Sequence, residues 1–113
     1  MKASETTCPS KSATNIAIVA NELITNALKH GAPGSDGKLQ ISIESTLLDD
    51  SYRLAVWSSG VPLPADFDFV RQSSLGLRLV QDLVVGQYGG TFILRADGAG
   101  NLAETVIPAK SLR

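Results

Sequence analysis

The chain has 113 residues, of which 43% are hydrophobic and 19% are charged, and its formal net charge is −1 at pH 7. This length suits one domain with its own core, and a single cysteine excludes a disulfide within the chain. The balanced charge predicts no nucleic-acid partner, since such proteins usually carry a basic excess on one face. No apolar run reaches the roughly 18–20 residues of a membrane span, and residues 1–12 lack the apolar stretch of a secretory signal. We therefore expect a cytoplasmic domain without membrane contact.

The chain is predicted to consist of an N-terminal tail, residues 1–12, and one domain, residues 13–110. The predicted elements are a helix over 14–30, strands over 38–46 and 52–57, a loop over 60–64, a connector over 65–74, a helix over 75–87, and strands over 91–95 and 102–107. Apolar alternation predicts the first strand to be half-buried. The order α-β-β-α-β-β predicts an α+β protein, a two-layer α/β sandwich whose mixed, mostly antiparallel sheet has helices on one face.

The first predicted helix has an apolar arc and an opposing polar arc, each spanning roughly 140° at the helical step of about 100° per residue. The apolar arc holds Ile16, Ala17, Ala20, Leu23, Ile24, Ala27 and Leu28. The opposing arc holds Asn15, Glu22, Thr25, Asn26, Lys29 and His30, with Ile18 and Val19 among them. A carboxylate and an amide oxygen suit Mg²⁺, and a lysine suits phosphate oxygens. The polar arc therefore fits either a solvated face or a phosphate and metal site, and periodicity alone leaves both open.

Three stretches of the chain resemble, in order, the motifs of the histidine-kinase-type ATP-binding domain. This domain belongs to the GHKL superfamily, with the gyrase, heat-shock-90 and mismatch-repair ATPases. Residues 21–31 (NELITNALKHG) look like its N box, residues 73–80 (SSLGLRLV) like its second glycine box, and residues 88–91 (YGGT) like its Gly-Gly-Thr strand start. The resemblance covers about residues 14–108, and the short connector suggests the compact HWE and HisKA_2-like subgroup of bacterial histidine kinases.

The resemblance implies the Bergerat fold, with ATP and Mg²⁺ as cofactors. By this analogy Asn26 holds Mg²⁺, Glu22 assists the metal or a water, and Lys29 and His30 approach the phosphates. The other implied contacts to the nucleotide come from Ser58, Gly60, Ser74, Leu75, Gly76 and Leu77. A helix N-terminus is a ready anion site, and glycine lets a phosphate approach closely. The alternative role for Gly76 is close packing of the helix.

The first glycine box departs from the family pattern Asp-x-Gly-x-Gly, in which the aspartate accepts the adenine amino group. Residues 58–62 read SSGVP, so Ser58 replaces the aspartate and Pro62 replaces the second glycine. Losing a charge-assisted hydrogen bond costs about 1–3 kcal/mol, or roughly tenfold to a hundredfold in affinity. Proline also fixes φ and removes a donor. These changes predict weakened or lost ATP binding, and the alternative is that a water-mediated contact replaces the aspartate and retains binding.

Two functions of different classes follow from the resemblance. The first is the ATP-binding catalytic domain of a bacterial two-component sensor histidine kinase, which transfers the γ-phosphoryl group to a histidine on a separate dimerisation domain and works with a response regulator. The second is a non-catalytic adaptor that docks partners and has a degenerate pocket. An anti-sigma-factor-type serine kinase of the same fold is a third option. His30 lies at a helix end, which favours a cap or a phosphate neighbour over a phosphoacceptor.

Overall fold

The computed structural model describes residues 10–34, 36–63 and 75–112. Its elements are α1 (Ser10–His30), β1 (Ile41–Leu47), β2 (Ser51–Ser59), α2 (Leu75–Gln81), a π-helical segment (Asp82–Gln87), β3 (Thr91–Asp97), β4 (Gly100–Pro108) and a 3-10 turn (Ala109–Leu112). The predicted α+β class and the predicted order of helices and strands are confirmed. None of the described helices is both long and apolar enough to cross a membrane.

The four strands form one sheet in the order β1-β2-β4-β3. The two hairpins, β1–β2 and β3–β4, pair antiparallel, and β4 lies antiparallel to β2 from Ser51↔Pro108 to Ser59↔Gly100. The expected parallel component is therefore absent from the described part of the sheet. The arrangement places β2 and β4 at the centre, where apolar residues are shielded on both sides by neighbouring strands.

The helices cover one face of this sheet. α1 lies over β2, and the π-helical segment contacts β3 and β4. Alternate residues of the central strands, such as Leu54, Val56 and Ala103, point into the core between the layers. They meet Leu23 of α1 and Val84 of the π-helical segment, which are almost completely buried. Burial of this apolar surface is the main favourable term that holds the two layers together.

The opposite face of the sheet carries an ion-pair network across three strands. Arg53 of β2 donates from Nε to Glu104 of β4 and from Nη1 to Glu44 of β1, the second at 2.9 Å. These two hydrogen bonds raise the pKa of the Arg53 guanidinium above its usual value. The network thus links β1, β2 and β4 on the face that lies away from the helices.

α1 begins at Ser10, whereas the sequence predicts a start at Thr14. Ser12, predicted to belong to the tail, is buried. The hydroxyl of Tyr88 donates to Ser12 Oγ at 3.5 Å and accepts from Asn15 Nδ2 at 2.7 Å. This first turn is stabilised by a residue distant in the sequence, which local patterns do not reveal. Residues 1–9 of the predicted tail lie outside the described residues.

β1 is more exposed than the predicted half-buried strand. It spans Ile41–Leu47, and Ile43 remains 53% exposed although it points to the helix side of the sheet. The reason is position: β1 is an edge strand, while α1 lies over β2. Alternation predicts which side chains share a face but does not show whether another element covers that face.

The second helical segment starts at Leu75 and reaches Gln87 as predicted, but its geometry changes at Asp82. From there the backbone is π-helical, and the N–H of Tyr88 donates to the carbonyl of Leu83, five residues earlier, at 3.1 Å. Val80 of α2 and Val84 of the π-helical segment are both completely buried in the core. The remaining strands are each longer than predicted, because ladder pairing extends beyond their apolar cores.

Candidate functional site

A cavity of about 210 Å³ lies between α1, the sheet and α2. Its lining residues are Leu23, Asn26, Ala27 and His30 of α1, Val56 and Ser58 of β2, Val61 and Leu63 of the following loop, Leu77 of α2, Leu94 of β3, and Asn101 and Ala103 of β4. Most of these side chains are apolar, and a few polar groups converge among them. A concave apolar site with a few placed polar groups is the usual form of a small-molecule site.

α1 is rotated about its axis relative to the orientation that the sequence predicts. In the observed orientation Asn26 and His30 line the cavity. Its buried line runs through Val19, Leu23 and Ala27, and on a helical wheel this line is centred about 70° from the middle of the predicted apolar arc. Val19, predicted among the polar residues, is therefore in the core. Asn26 lies beside the buried line, His30 lies within its arc at the end of the helix, and both reach the cavity wall.

Other residues of the predicted polar and apolar arcs are exposed to solvent in this orientation of α1. Lys29 is exposed and does not line the cavity. Leu28, placed by the prediction in the apolar arc, is 59% exposed. Of the charged and amide groups predicted on α1, the cavity therefore brings together Asn26 and His30 but not Lys29.

Glu22 faces α2 instead of the cavity. A Cβ atom added at Gly76 would overlap the Oε2 atom of Glu22, so the carboxylate occupies the space that a side chain at position 76 would fill. The absence of a side chain at Gly76 is what allows α1 and α2 to approach there. The structure thus brings together two of the predicted site residues, Glu22 and Gly76, at a direct contact between α1 and α2.

Ser58 lies on the sheet floor of the cavity, at the end of β2. Its exposed fraction is 9%, and its side chain makes no hydrogen bond to the residues that the structure describes. The neighbouring Ser59 points to the other side and is fully engaged. Its Oγ donates to the carbonyl of Ala32 at 2.8 Å and accepts from the N–H of Gln40 at 3.0 Å. Ser58 and Ser59, the two serines at the position of the first glycine box, therefore have different roles.

The loop after β2 is held by Asn101, a residue that the sequence prediction missed. Asn101 Oδ1 accepts from the N–H of Leu63 at 2.8 Å, and its Nδ2 donates to the carbonyl of Val61 at 2.9 Å. Asn101 is also part of the cavity lining. Its position opposite Ser58 in the β2–β4 ladder was the signal that could have identified it, but only once that pairing was known.

Gly60 begins this loop with a backbone conformation that favours glycine. Its φ is +153°, and a Cβ there would lie 3.1 Å from the backbone nitrogen of Ala32. The N–H of Gly60 donates to the carbonyl of Ala99 at 3.2 Å. Gly60 is therefore placed beside the cavity, where it shapes the loop without lining the space itself.

The remaining predicted residues come from the start of the second helical segment. Leu77 is 4% exposed and lines the cavity, whereas Leu75 is 83% exposed and points away. Ser74 lies outside the described residues. The cavity wall on the α2 side is thus formed by an apolar side chain.

The donor set on α1 fits Mg²⁺ of a nucleotide complex. Among the described residues there is no group of three or more His, Cys, Asp or Glu side chains that would enclose a metal ion. Mg²⁺ bound with a nucleotide needs only one or two protein oxygens, because phosphates and waters complete its shell. The amide oxygen of Asn26, on the cavity wall, is of this type, whereas the carboxylate of Glu22, one helical turn earlier, faces α2.

A family model for histidine kinase-, DNA gyrase B- and HSP90-like ATPases matches residues 12–111. Blue-light-activated histidine kinase 2 of Erythrobacter litoralis is 30% identical over 101 residues, which cover 88% of this chain and 29% of that protein.

Among solved structures, the histidine kinase domain of Erythrobacter litoralis EL346 blue-light activated histidine kinase is similar with a TM-score of 0.77 and 27% identity, over 92% of this chain and 48% of that one. The catalytic domain of histidine kinase ThkA gives 0.72 and 25%, over 84% and 66%. The chain therefore spans about a third to two thirds of the length of these relatives.

Proposed function

Because the chain belongs to the family of histidine kinase-, DNA gyrase B- and HSP90-like ATPases, we propose that it binds Mg-ATP as the catalytic domain of a bacterial two-component sensor histidine kinase. In this proposal the γ-phosphoryl group passes to a histidine on a separate dimerisation domain. A response regulator is the next partner in such a system. The proposal rests on the family and on one structural observation, the cavity that Asn26 of α1, Ser58 of β2 and Leu77 of α2 line together.

The composition of the cavity supports a nucleotide. Apolar side chains from both layers, among them Val56, Leu77 and Ala103, offer flat surfaces to a base. The polar groups lie at separate points, with Ser58 on the sheet floor and Asn26 on the helix wall. This separation suits a ligand with an apolar ring system at one end and charged oxygens at the other.

Asn26, on the cavity wall, is the residue that would hold Mg²⁺ in this proposal, through its amide oxygen. Glu22 would assist the metal or a water only if its carboxylate turned from α2 toward the cavity. The bound ion supplies neutralisation of the phosphate charge. His30 lines the cavity and donates to phosphate oxygens, while Lys29, on the outer side of the same turn, adds positive potential. Phosphoryl transfer needs little covalent help from a protein, so positioning and charge neutralisation account for the catalytic contribution of the domain.

The non-catalytic adaptor is the second candidate, and the base end of the cavity favours it. Ser58 provides a neutral hydroxyl where the family pattern has a carboxylate, and Pro62 replaces a glycine in the loop. In this candidate both changes would reduce affinity for ATP. The intact N box, with Asn26 on the cavity wall, favours the kinase.

Calorimetric titration of the 113-residue chain with a non-hydrolysable ATP analogue tests the proposal. We expect binding that depends on Mg²⁺ and that Asn26→Ala abolishes while the far-UV circular dichroism and the melting temperature are retained. Asn21→Ala is the matched control, because Asn21 lies on the exposed side of the same helix. Absence of heat at millimolar analogue contradicts the kinase proposal and favours the adaptor. Unchanged affinity in Asn26→Ala removes Asn26 from the site.

A further inference from the structure

Ser58 is the polar group on the sheet floor of the cavity whose hydrogen-bonding capacity is unused. The residue lines the cavity and is 9% exposed, and its side chain makes no hydrogen bond within the described part of the chain. A buried polar group without a partner carries a desolvation cost, and most such groups in native structures are satisfied by water or a ligand. The hydroxyl is therefore available to whatever occupies the cavity.

The neighbouring polar groups are already committed. Both side-chain atoms of Asn101 bond to the backbone of the loop, at Leu63 and Val61. Ser59 is engaged on the opposite side of β2 by Ala32 and Gln40. Among the described side chains on the floor formed by β2 and β4, the Oγ of Ser58 is thus the polar atom that a ring meets without any hydrogen bond already made.

A hydroxyl differs from a carboxylate in the direction of the hydrogen bonds that it makes. Ionised aspartate only accepts, whereas the serine hydroxyl rotates and either donates or accepts. A 6-aminopurine presents an N–H donor at the edge where a 6-oxopurine presents an acceptor. The Ser58 hydroxyl satisfies both edges equally well.

We propose that this pocket takes purine nucleoside triphosphates without distinguishing a 6-amino from a 6-oxo group, so that ATP and ITP bind with similar affinity. The inference rests on the proposed function, since it assumes a nucleotide in the cavity. It names Ser58 as the residue that sets the breadth of base selection. An acceptor-only group at position 58 narrows selection to the 6-amino form, because a 6-oxo group facing it leaves two acceptors without a proton between them.

Affinities of the 113-residue chain for ATP and for ITP, each with Mg²⁺, test this inference by calorimetry. ITP is the suitable probe because it differs from ATP at position 6 and lacks the 2-amino group of GTP. We expect the two dissociation constants of the unmodified chain to agree within about threefold, since one neutral hydrogen bond is made in each case. Ser58→Ala weakens both ligands alike, by roughly twofold to tenfold.

Ser58→Asp tests whether the direction of the hydrogen bond at position 58 determines which base is selected. It should favour ATP over ITP by at least roughly tenfold, because the carboxylate accepts from the amino group and repels the oxo group. Ser42→Asp is the matched control: the same change on the exposed face of β1, away from the helices, leaves the ratio unchanged. Melting temperatures show whether each variant is folded, and the unmodified chain and Ser58→Ala decide the question if Ser58→Asp does not fold.

Three results overturn the inference. A preference of the unmodified chain for ATP above about threefold does so while leaving the proposed nucleotide binding intact. Unchanged affinity for both ligands in Ser58→Ala does so by removing Ser58 from the base contact. Binding of neither triphosphate by the folded, unmodified chain overturns the proposed function itself, and the inference with it.

Discussion

Replacing Asn101 with alanine removes both hydrogen bonds that hold the loop from Gly60 to Leu63 over the cavity. One of these bonds is partly buried and the other is exposed. A net contribution of about 0.5–1.5 kcal/mol per bond, taken at its lower half because water competes, gives about 1–2 kcal/mol for the pair. That energy corresponds to a roughly 5- to 30-fold increase in the population of the open loop.

Amide hydrogen exchange followed by NMR measures this change at the atom concerned. The N–H of Leu63 donates to Asn101 Oδ1, so its exchange should accelerate by roughly 5- to 30-fold in Asn101→Ala. The N–H of Ala32, bonded to the carbonyl of Ser59 at 2.9 Å, should keep its rate. Asn101→Asp retains the acceptor for Leu63 and loses the donor to Val61, so an intermediate rate is expected.

Asn21→Ala serves as the control for an asparagine change elsewhere, and it should leave the Leu63 rate unaltered. Unchanged exchange at Leu63 in Asn101→Ala would refute the reasoning, because it would mean that the loop is held by something other than this side chain. Equal acceleration at Leu63 and Ala32 would also contradict it, since that pattern reports global destabilisation and not local opening.

Two further predictions concern contacts outside the loop. Gly76→Ala displaces the flexible Glu22 carboxylate. In a Glu22→Ala background, replacing this glycine should raise the free energy of unfolding in urea by about 0.5–1 kcal/mol, and the increase should be smaller when Glu22 is present. Equal increases in both backgrounds would show that the two residues do not meet. Hydrogen bonds raise the pKa of the Arg53 guanidinium above its usual value. The stabilising contribution of its charge is therefore fully present below the usual pKa of arginine and is lost only as the pH rises through the raised pKa. The difference in urea midpoint between the unmodified chain and Arg53→Met should therefore stay constant from about pH 7 to about pH 10, and a steady decline over that range would contradict the assignment.

Local patterns predicted the elements and their order well, because helix-ending glycines and apolar alternation act over a few residues. The exposure of Ile43 was mispredicted, since the position of α1 above β2 is set by packing of the whole layer. The rotation of α1 was also mispredicted: a helix with apolar residues around much of its surface has several possible buried lines, and Val19 entered the core only through contact with the sheet.

The candidate site shows the same division between local and distant information. Asn26 was predicted as a functional residue from a motif within one helix, and the structure places it on the cavity wall. Asn101 was missed because its role depends on β4 lying next to β2, a pairing between segments far apart in the chain. Residues whose contacts are distant in sequence are recognisable only when the strand order is known.

Ser59 links the segment after α1 to the segment before β1, next to the cavity. Its backbone and side chain bond to Ala32, which follows α1, and to Gln40, which precedes β1. These bonds tie the end of α1 to the sheet close to Asn26, His30 and Ser58, and we expect them to restrain the spacing of these groups. A ligand of different thickness would then have to be accommodated at the opposite wall, which Leu77 of α2 lines.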